Sequence, residues 1–594
     1  MTAIPTALSA VRFRGKAAVL QLSRVARDLR GGVKRYPRGE VGAGDVLLAE
    51  SVGSLRGTGG GQNTNERGLT LGKVQNLRVA VRRIDGVVVP ARAVFSFWRH
   101  VGRATRRAGY VRGRELREGC VVPSVGGVLC QLSNALYDAA LSAGFEIVER
   151  HAHSVVVPGS LAETGRDATV FWNYVDLRFR AAQDVRVEAT LAADTLAVRF
   201  WATAGAAAAA PLVGRVVDAV PSAGTAAHSP GDCATCGIEQ CFRHAALRRR
   251  PAATERTAFL LDAYWPEYDA YVTSVAERRD VMILPIDGRR FRTAKYRWNT
   301  ASVDSVRQSP ALTLLRAYRS RGVARQGAER QRLLLAWADR IAARFASQLS
   351  YDVCHLVVMQ HLLPGLLAGG HLGGRTYDVL MTGMPMRHVQ AALDDAFARH
   401  PESPTLCDFR ADPRLVESEE RALAGARAII TPHAAVAELF GSRVVRLPWA
   451  TSAARFVRGL PAATSSRAVV FPASTLGRFG AYELRDVARE LGLHVILTGG
   501  DLEGARFWDG VSVERRSSFV DALAGVACVA LPAYIENQPR RLLLASAMGV
   551  PVIASDACGV GGLANVTTVR AGQVSELRAA FASAPAEGSA GGLS

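Results

Sequence analysis

The sequence predicts a multidomain protein of mixed class. An α+β unit spans residues 66–203, and two Rossmann-like α/β halves span 255–450 and 451–580. Three observations predict it. Residues 185–202, VRVEATLAADTLAVRFWA, alternate apolar and polar side chains, the mark of two half-buried strands joined by a turn. Beyond residue 255 the pattern changes. Short apolar runs (RAIITP, RVVRLPW, RAVVFPA, HVILTGG, ACVALPA, VPVIAS) alternate with longer amphipathic stretches, as parallel sheets covered by helices require. Finally, 594 residues at 49% hydrophobic composition suffice for several cores.

Along the chain, residues 1–65 read as a basic arm, loosely ordered or helical, that ends in a glycine-rich piece. QLSNALYDAALSAG reads as a helix. Leu132, Leu136, Ala139, Ala140 and Ala143 follow helical spacing, and Gly144 supplies a stop. Residues 204–254 read as a linker that contains a cysteine cluster, and 581–594 as a disordered tail.

All but four of the 73 basic residues are arginine, and the net charge is +20. Such a charge attracts polyanions or an anionic membrane surface. Aromatics make up only 7% and no basic stripe is interleaved with them, which argues against a nucleic-acid partner. Nine cysteines in this length do not make a disulfide scaffold. Arginines interrupt the N-terminal stretch, and no run reaches the about 20 apolar residues of a membrane span. The expectation is a cytoplasmic protein with reduced thiols and peripheral contact at the inner membrane face.

Three groups of residues carry chemistry. Cys130 stands shortly after Gly126 and Gly127 and opens the helix read above, so free N–H groups and the positive helix end would lie near its sulfur. His151 and His153 are local candidates for its base, and Asp167 or Asp176 for the group that orients the imidazole. The bland alternative is a buried, inert thiol. Phe95, Phe97, Trp98, Trp172 and Tyr174 read as core and pocket wall. The second group is CATCGIEQCFRH. Cys233, Cys236, Cys241 and His244 have the spacing of a closed tetrahedral zinc site, with an iron–sulfur cluster as the alternative. The third group, Gly477, Arg478 and Glu536, lies in the C-terminal half.

Four segments in order closely resemble the VanW family over roughly residues 70–200: NLRVAVRRIDGVVVPARAVFSFWRHVGRATRRAGYVRGRELREG, GGVLCQLSNALYDAAL, EIVERHAHSVVVPGS and GRDATVFWNYVDLRF. Members of that family are associated with glycopeptide resistance clusters. The resemblance places the family's motif cysteine, histidine and aspartates on Cys130, His153, Asp167 and Asp176. Where the family shows three glycines, this chain has Ser124-Val125-Gly126-Gly127. Residues 375–565 resemble retaining glycosyltransferases of the GT-B architecture, which use nucleotide-sugar donors. That likeness places the basic diphosphate contact on Arg478, flanked by Gly477 and Gly480, and the first donor glutamate on Glu536. The second glutamate, eight positions on, is Leu544 here.

Two functions follow as expectations. One is a glycosyltransferase fused to a VanW-like domain, acting on an envelope precursor or glycan acceptor with a nucleotide sugar. The other is a non-catalytic adaptor binding the same molecules. A Cys–His–Asp acyl or peptide hydrolase or transferase is a third reading, from the N-terminal unit alone. Arg540 and Arg541 are offered for donor phosphates or as a solvated helix face, and His433 as the histidine to watch.

Overall fold

The computed structural model describes residues 7–30, 33–55 (bar 41 and 43), 64–117, 120–153, 160–203, 231–232, 255–323, 326–451 and 467–583. The chain forms two compact units. The first comprises residues 1–256 with two later excursions, 349–355 and 369–376; the second holds the remainder. The excursions were not foreseen from sequence. One of them is tied to the first unit where the Gly374 N–H donates to the Ala192 carbonyl (2.9 Å).

In the first unit the alternating pattern forms strands Val185–Leu191 and Thr195–Ala202, paired antiparallel. They are the middle of a four-stranded sheet. The basic arm supplies one edge, Val46–Ser54, and Val88–Val89 supplies the other. The arm is therefore part of the domain, and its helix Ala7–Arg30 precedes the edge strand. A second antiparallel sheet joins Val94–Ser96, Arg178–Arg180 and Glu146–Glu149. The helices Thr64–Ile84 and Cys130–Ser142 supply Leu77, Ala80, Leu132, Leu136 and Ala139 to one core, with Phe95, Phe179 and Phe200. Phe179 stacks on Phe95 at 4.6 Å and meets Phe200 edge-on at 5.3 Å, arrangements aromatic pairs favour. The helix ends as its sequence implies, with Gly144 at φ +69°.

The second unit holds two sheets. In each, the first strand is central and the chain reverses across it. The seven-stranded sheet runs 305–308, 281–284, 256–260, 353–359, 376–380, 428–431, 444–446; the six-stranded sheet runs 512–515, 494–497, 468–471, 528–531, 552–555, 566–569. Strands in both pair in parallel. Numbered within each half, the order is 3-2-1-4-5-6, with one added edge strand in the first. That is the Rossmann order, and it opens a crevice where the chain changes direction, beyond the carboxyl ends of strands 1 and 4. In the second half those ends lead into 472–480 and 532–538, the loops that carry Gly477, Arg478 and Glu536.

Among the described residues no helix is long and apolar enough to cross a membrane.

Candidate functional site

The turn before Cys130 is tightly specified. Gly126 has φ +79°, and a Cβ there would lie 2.4 Å from the Ala104 Cβ. Val128 also has a positive φ, +73°, a sparsely populated conformation for a β-branched residue. The Asn76 amide, fully buried, donates to the Gly127 and Val111 carbonyls (3.1 and 3.0 Å) and accepts from Val111 N–H (2.8 Å). Asn76 thus clamps the glycine turn from a neighbouring helix, a role with no signal in the local motif.

Cys130 is the first residue of its helix and is partly buried. Its Sγ lies 3.7 Å from Thr169 Oγ1 and 3.9 Å from the Val170 carbonyl, and the His153 imidazole is close enough to act on its ionisation. His153 Nδ1 lies 2.5 Å from Asp167 Oδ2, which also accepts the His153 backbone N–H at 2.7 Å. With Nδ1 on the carboxylate, Nε2 is the ring nitrogen available to the thiol. Asp167 is only 2% exposed, and its other oxygen accepts Arg150 Nη2 at 2.8 Å. The structure therefore brings Cys130, His153 and Asp167 together in that order.

Their ionisation follows from this contact. Burial alone would push the Cys130 thiol up, but the hydrogen bond and charge of His153 outweigh it and hold the thiol below its ordinary value. Burial would lower His153. The hydrogen bonds to Asp167 and Cys130 instead raise it to about 9. Burial likewise opposes Asp167, but the hydrogen bonds and charge of His153 leave its carboxyl below the usual carboxylate range. The shifts favour a thiolate–imidazolium pair backed by a carboxylate over a neutral thiol and imidazole.

Two side chains one turn beyond Cys130 align the extended segment that carries Asp167. Ser133 Oγ donates to the Ala168 carbonyl (2.6 Å), and Asn134 Oδ1 accepts the Ala168 N–H (2.8 Å). The phrase QLSN thus supplies both the start of the helix and the brace for the segment around residue 168.

Asp176 and His151 lie in other networks. Asp176, 1% exposed, accepts from Ser96 Oγ (2.6 Å), Trp98 N–H (3.1 Å), Leu177 N–H (3.0 Å) and Arg178 Nε (2.9 Å). It anchors the Phe97–Val101 helix and the Arg178 strand, so the structure does not bring it to the thiol. His151 Nε2 faces Glu149 Oε1 at 3.3 Å.

The cluster Cys233, Cys236, Cys241 and His244 lies outside the described residues. Among those that are described, no group of three or more His, Cys, Asp or Glu could hold a metal ion.

In the C-terminal half, Arg478 is the central charged group. Its guanidinium lies 4.0 Å from the Phe409 ring centre and 4.3 Å from that of Phe479. Burial lowers it to about 10, against the opposing charge of Glu536, and its Nε is buried with no hydrogen-bond partner. Arg478 lines a cavity of about 280 Å³ together with Gln360, Thr382, Glu419, Ile535 and Asn537. Burial raises the Glu536 carboxyl. Gly480 has φ +73°, and a Cβ there would lie 2.1 Å from the Pro532 carbonyl oxygen, so only glycine lets the two crevice loops meet.

The Gly477 N–H is taken by Glu503 Oε1 at 2.6 Å, and that carboxylate also accepts from Ser403 (2.8 Å), Thr405 and Tyr482 (2.9 Å). Arg540 makes a two-pronged pair with the buried Glu267 (2.6 and 2.8 Å). Arg541 donates to the Pro472 carbonyl and to Thr498 Oγ1 (3.1 Å). Leu544 packs against the hydrophobic core of its half, so its position is built for an apolar side chain. His433 is buried; its Nε2 lies 3.1 Å from the Glu536 carbonyl oxygen and its ring packs on Gly559.

Residues 72–201 match the family described as VanW like protein. The uncharacterized protein YoaR of Bacillus subtilis (strain 168) is 39% identical over 105 residues, covering 18% of this chain and 34% of that protein. The vancomycin B-type resistance protein VanW of Enterococcus faecalis (strain ATCC 700802 / V583) is 33% identical over 115 residues, covering 19% of this chain and 42% of that protein. The chain thus spans about a third to two fifths of the length of these relatives. The structure of HepE from Anabaena, in complex with UDP and glucose, is 15% identical and covers 55% of this chain and 88% of its own, with a TM-score of 0.30. The two Rossmann-like halves are assigned from their strand order. Residues 72–201, with the thiol turn, its histidine and its aspartate inside them, are the part of this longer chain that matches the VanW family.

Proposed function

We propose that the VanW-like domain performs cysteine-dependent acyl transfer or hydrolysis on the acyl or peptide part of a cell-envelope precursor, in the setting of envelope metabolism or glycopeptide resistance. The observation that carries this reading is His153, bonded to Asp167 and acting on the Cys130 thiol to lower it. The Cys130 thiolate attacks a carbonyl carbon, and the electron pair moves to the carbonyl oxygen beside the positive end of the helix. As the tetrahedral adduct collapses, the bond to the leaving amine or alkoxide breaks and the His153 imidazolium donates its proton to it. A thioester on Cys130 remains. Neutral His153 then takes the proton of an incoming amine, alcohol or water as that group attacks, and the thiolate departs to restore the ion pair. Asp167 holds the ring's orientation throughout and stays ionised.

The test uses a simple activated ester. Incubation of the full chain with p-nitrophenyl acetate is expected to give one acetyl adduct by intact-mass spectrometry, mapped to Cys130 and lost in Cys130→Ser. Absence of an adduct on Cys130 in the wild type defeats the acyl reading.

A second reading, favoured by the buried and unpartnered Nε of Arg478, concerns the C-terminal half: it binds a nucleotide-sugar donor in the crevice and transfers the sugar with retention to a glycan or precursor acceptor. Arg478 would meet the diphosphate, since a buried guanidinium binds paired phosphate oxygens strongly. With Leu544 in the core, the sugar relies on Glu536 alone of the two acids. Binding of UDP- and GDP-sugars, measured by calorimetry, is expected to weaken at least about tenfold in Arg478→Ala, the loss of one charge-assisted contact. Equal affinity in the variant contradicts a phosphate role for Arg478.

A further inference from the structure

We infer that the outward face of the Ala7–Arg30 helix is a docking surface for an anionic lipid bilayer. The inward face fixes the helix orientation. Arg24, only 5% exposed, makes a two-pronged pair with Glu149 and donates to the Tyr174 carbonyl (2.9 Å). Gln21 donates to the Trp172 carbonyl (2.6 Å), and Asp28 accepts from Arg178 (2.6 Å). Positions 21, 24 and 28 share one side of a helix.

The other sides are then turned out. Val11, Leu22, Val25 and Leu29 recur at helical spacing along one stripe, at 64%, 72%, 47% and 77% exposure. Val19, 67% exposed, widens it. Beside the stripe lies a second row of exposed cations, Arg12, Lys16, Arg27 and Arg30. The helix holds one acid, Asp28, and that acid is spent inward on Arg178. An apolar stripe flanked by uncompensated cations fits the boundary between acyl chains and anionic headgroups. It does not fit the interior of a protein interface, where unpaired charges are costly. Charge complementarity thus selects the occupant, and the chain's net charge of +20 has the same sign.

The placement has a consequence for the thiol site. The helix is anchored on Glu149, Trp172 and Tyr174, which flank the stretch carrying His153 and Asp167. Docking would hold that site at the lipid–water boundary, within reach of a lipid-linked substrate.

The experiment is vesicle co-sedimentation of the full chain. Vesicles are of phosphatidylcholine alone or with a third of phosphatidylglycerol. Binding is expected only with the anionic lipid and weakens as salt is raised. Reversal of two cations, Lys16→Glu with Arg27→Glu, is expected to lower partitioning by at least roughly 25-fold, about fivefold for each cation. Leu22→Glu with Leu29→Glu is expected to abolish it. Far-UV circular dichroism and the Cys130 alkylation rate, unchanged in both variants, show that the domain is folded. Equal binding to neutral vesicles, undiminished binding by either variant, or no vesicle binding by the wild type overturns the inference. So does light scattering in which the leucine variant dissociates a dimer that binds no lipid, because the face is then an interface between two copies.

Discussion

Replacement of His153 by alanine is expected to slow alkylation of Cys130 by iodoacetamide at neutral pH. The sign follows from the opposing influences on the thiol. Burial raises its pKa, and His153 lowers it past that penalty. Without the imidazole only burial remains, so the thiol moves to or above its ordinary value and the thiolate fraction at neutral pH falls. Each unit of that shift is tenfold in the thiolate population. In the wild type, thiolate and imidazolium coexist from the depressed thiol value up to about 9, where His153 loses its proton. The alkylation rate should therefore rise through a thiol value lower than that of a free cysteine and level off once the thiolate has formed. Acyl transfer also needs the proton on His153 for the leaving group, so its rate should fall again as pH rises through about 9. A profile that climbs steadily with an ordinary thiol midpoint would show that the two groups are not coupled.

Replacement of Asp176 by alanine is expected to cost about 3 kcal/mol of stability, with little change in Cys130 reactivity. Asp176 is fully enclosed, with four donors on its carboxylate. Its loss strands the Ser96 hydroxyl and two backbone N–H groups. It also leaves Arg178 with Asp28 (2.6 Å) and the more distant Glu149 (3.5 Å). Breaking a buried pair from one side costs about 3–5 kcal/mol, and the lower end applies because Asp28 still compensates. The measurement is thermal unfolding of the variant beside the alkylation rate of its folded state. A stable variant with a silenced thiol would instead give Asp176 a direct part in the chemistry.

The contrast between the two aspartates shows what local sequence carries. Asp167 and Asp176 follow the same histidine, and each is the same residue type in the same motif. Which one meets the imidazole depends on how Ser133 and Asn134 seat residue 168 against the helix, a contact between segments about 35 residues apart. Helical periodicity places Cys130 at the start of its helix, and alternation places strands 185–191 and 195–202, because both depend on near neighbours. Long-range partners leave no such trace. Nothing near Arg540 points to Glu267, which lies 273 residues away. Nothing in the loop before Arg478 announces that Glu503 will take the Gly477 N–H. The edge strand Val46–Ser54 pairs with a strand about 150 residues later, so a basic, glycine-rich arm gives little notice of it. Leu544 is the reverse case. Its departure from the glycosyltransferase pattern is plain in the sequence, and the packing of its helix supplies the physical reason.

The most direct measurement is the ultraviolet thiolate absorbance of the full chain titrated with pH, taken as the difference between wild type and Cys130→Ser. A titration midpoint for Cys130 below that of a free cysteine, moving to or above it in His153→Ala, is the predicted result. A wild-type midpoint at or above the free value, unmoved by loss of the imidazole, would contradict the account.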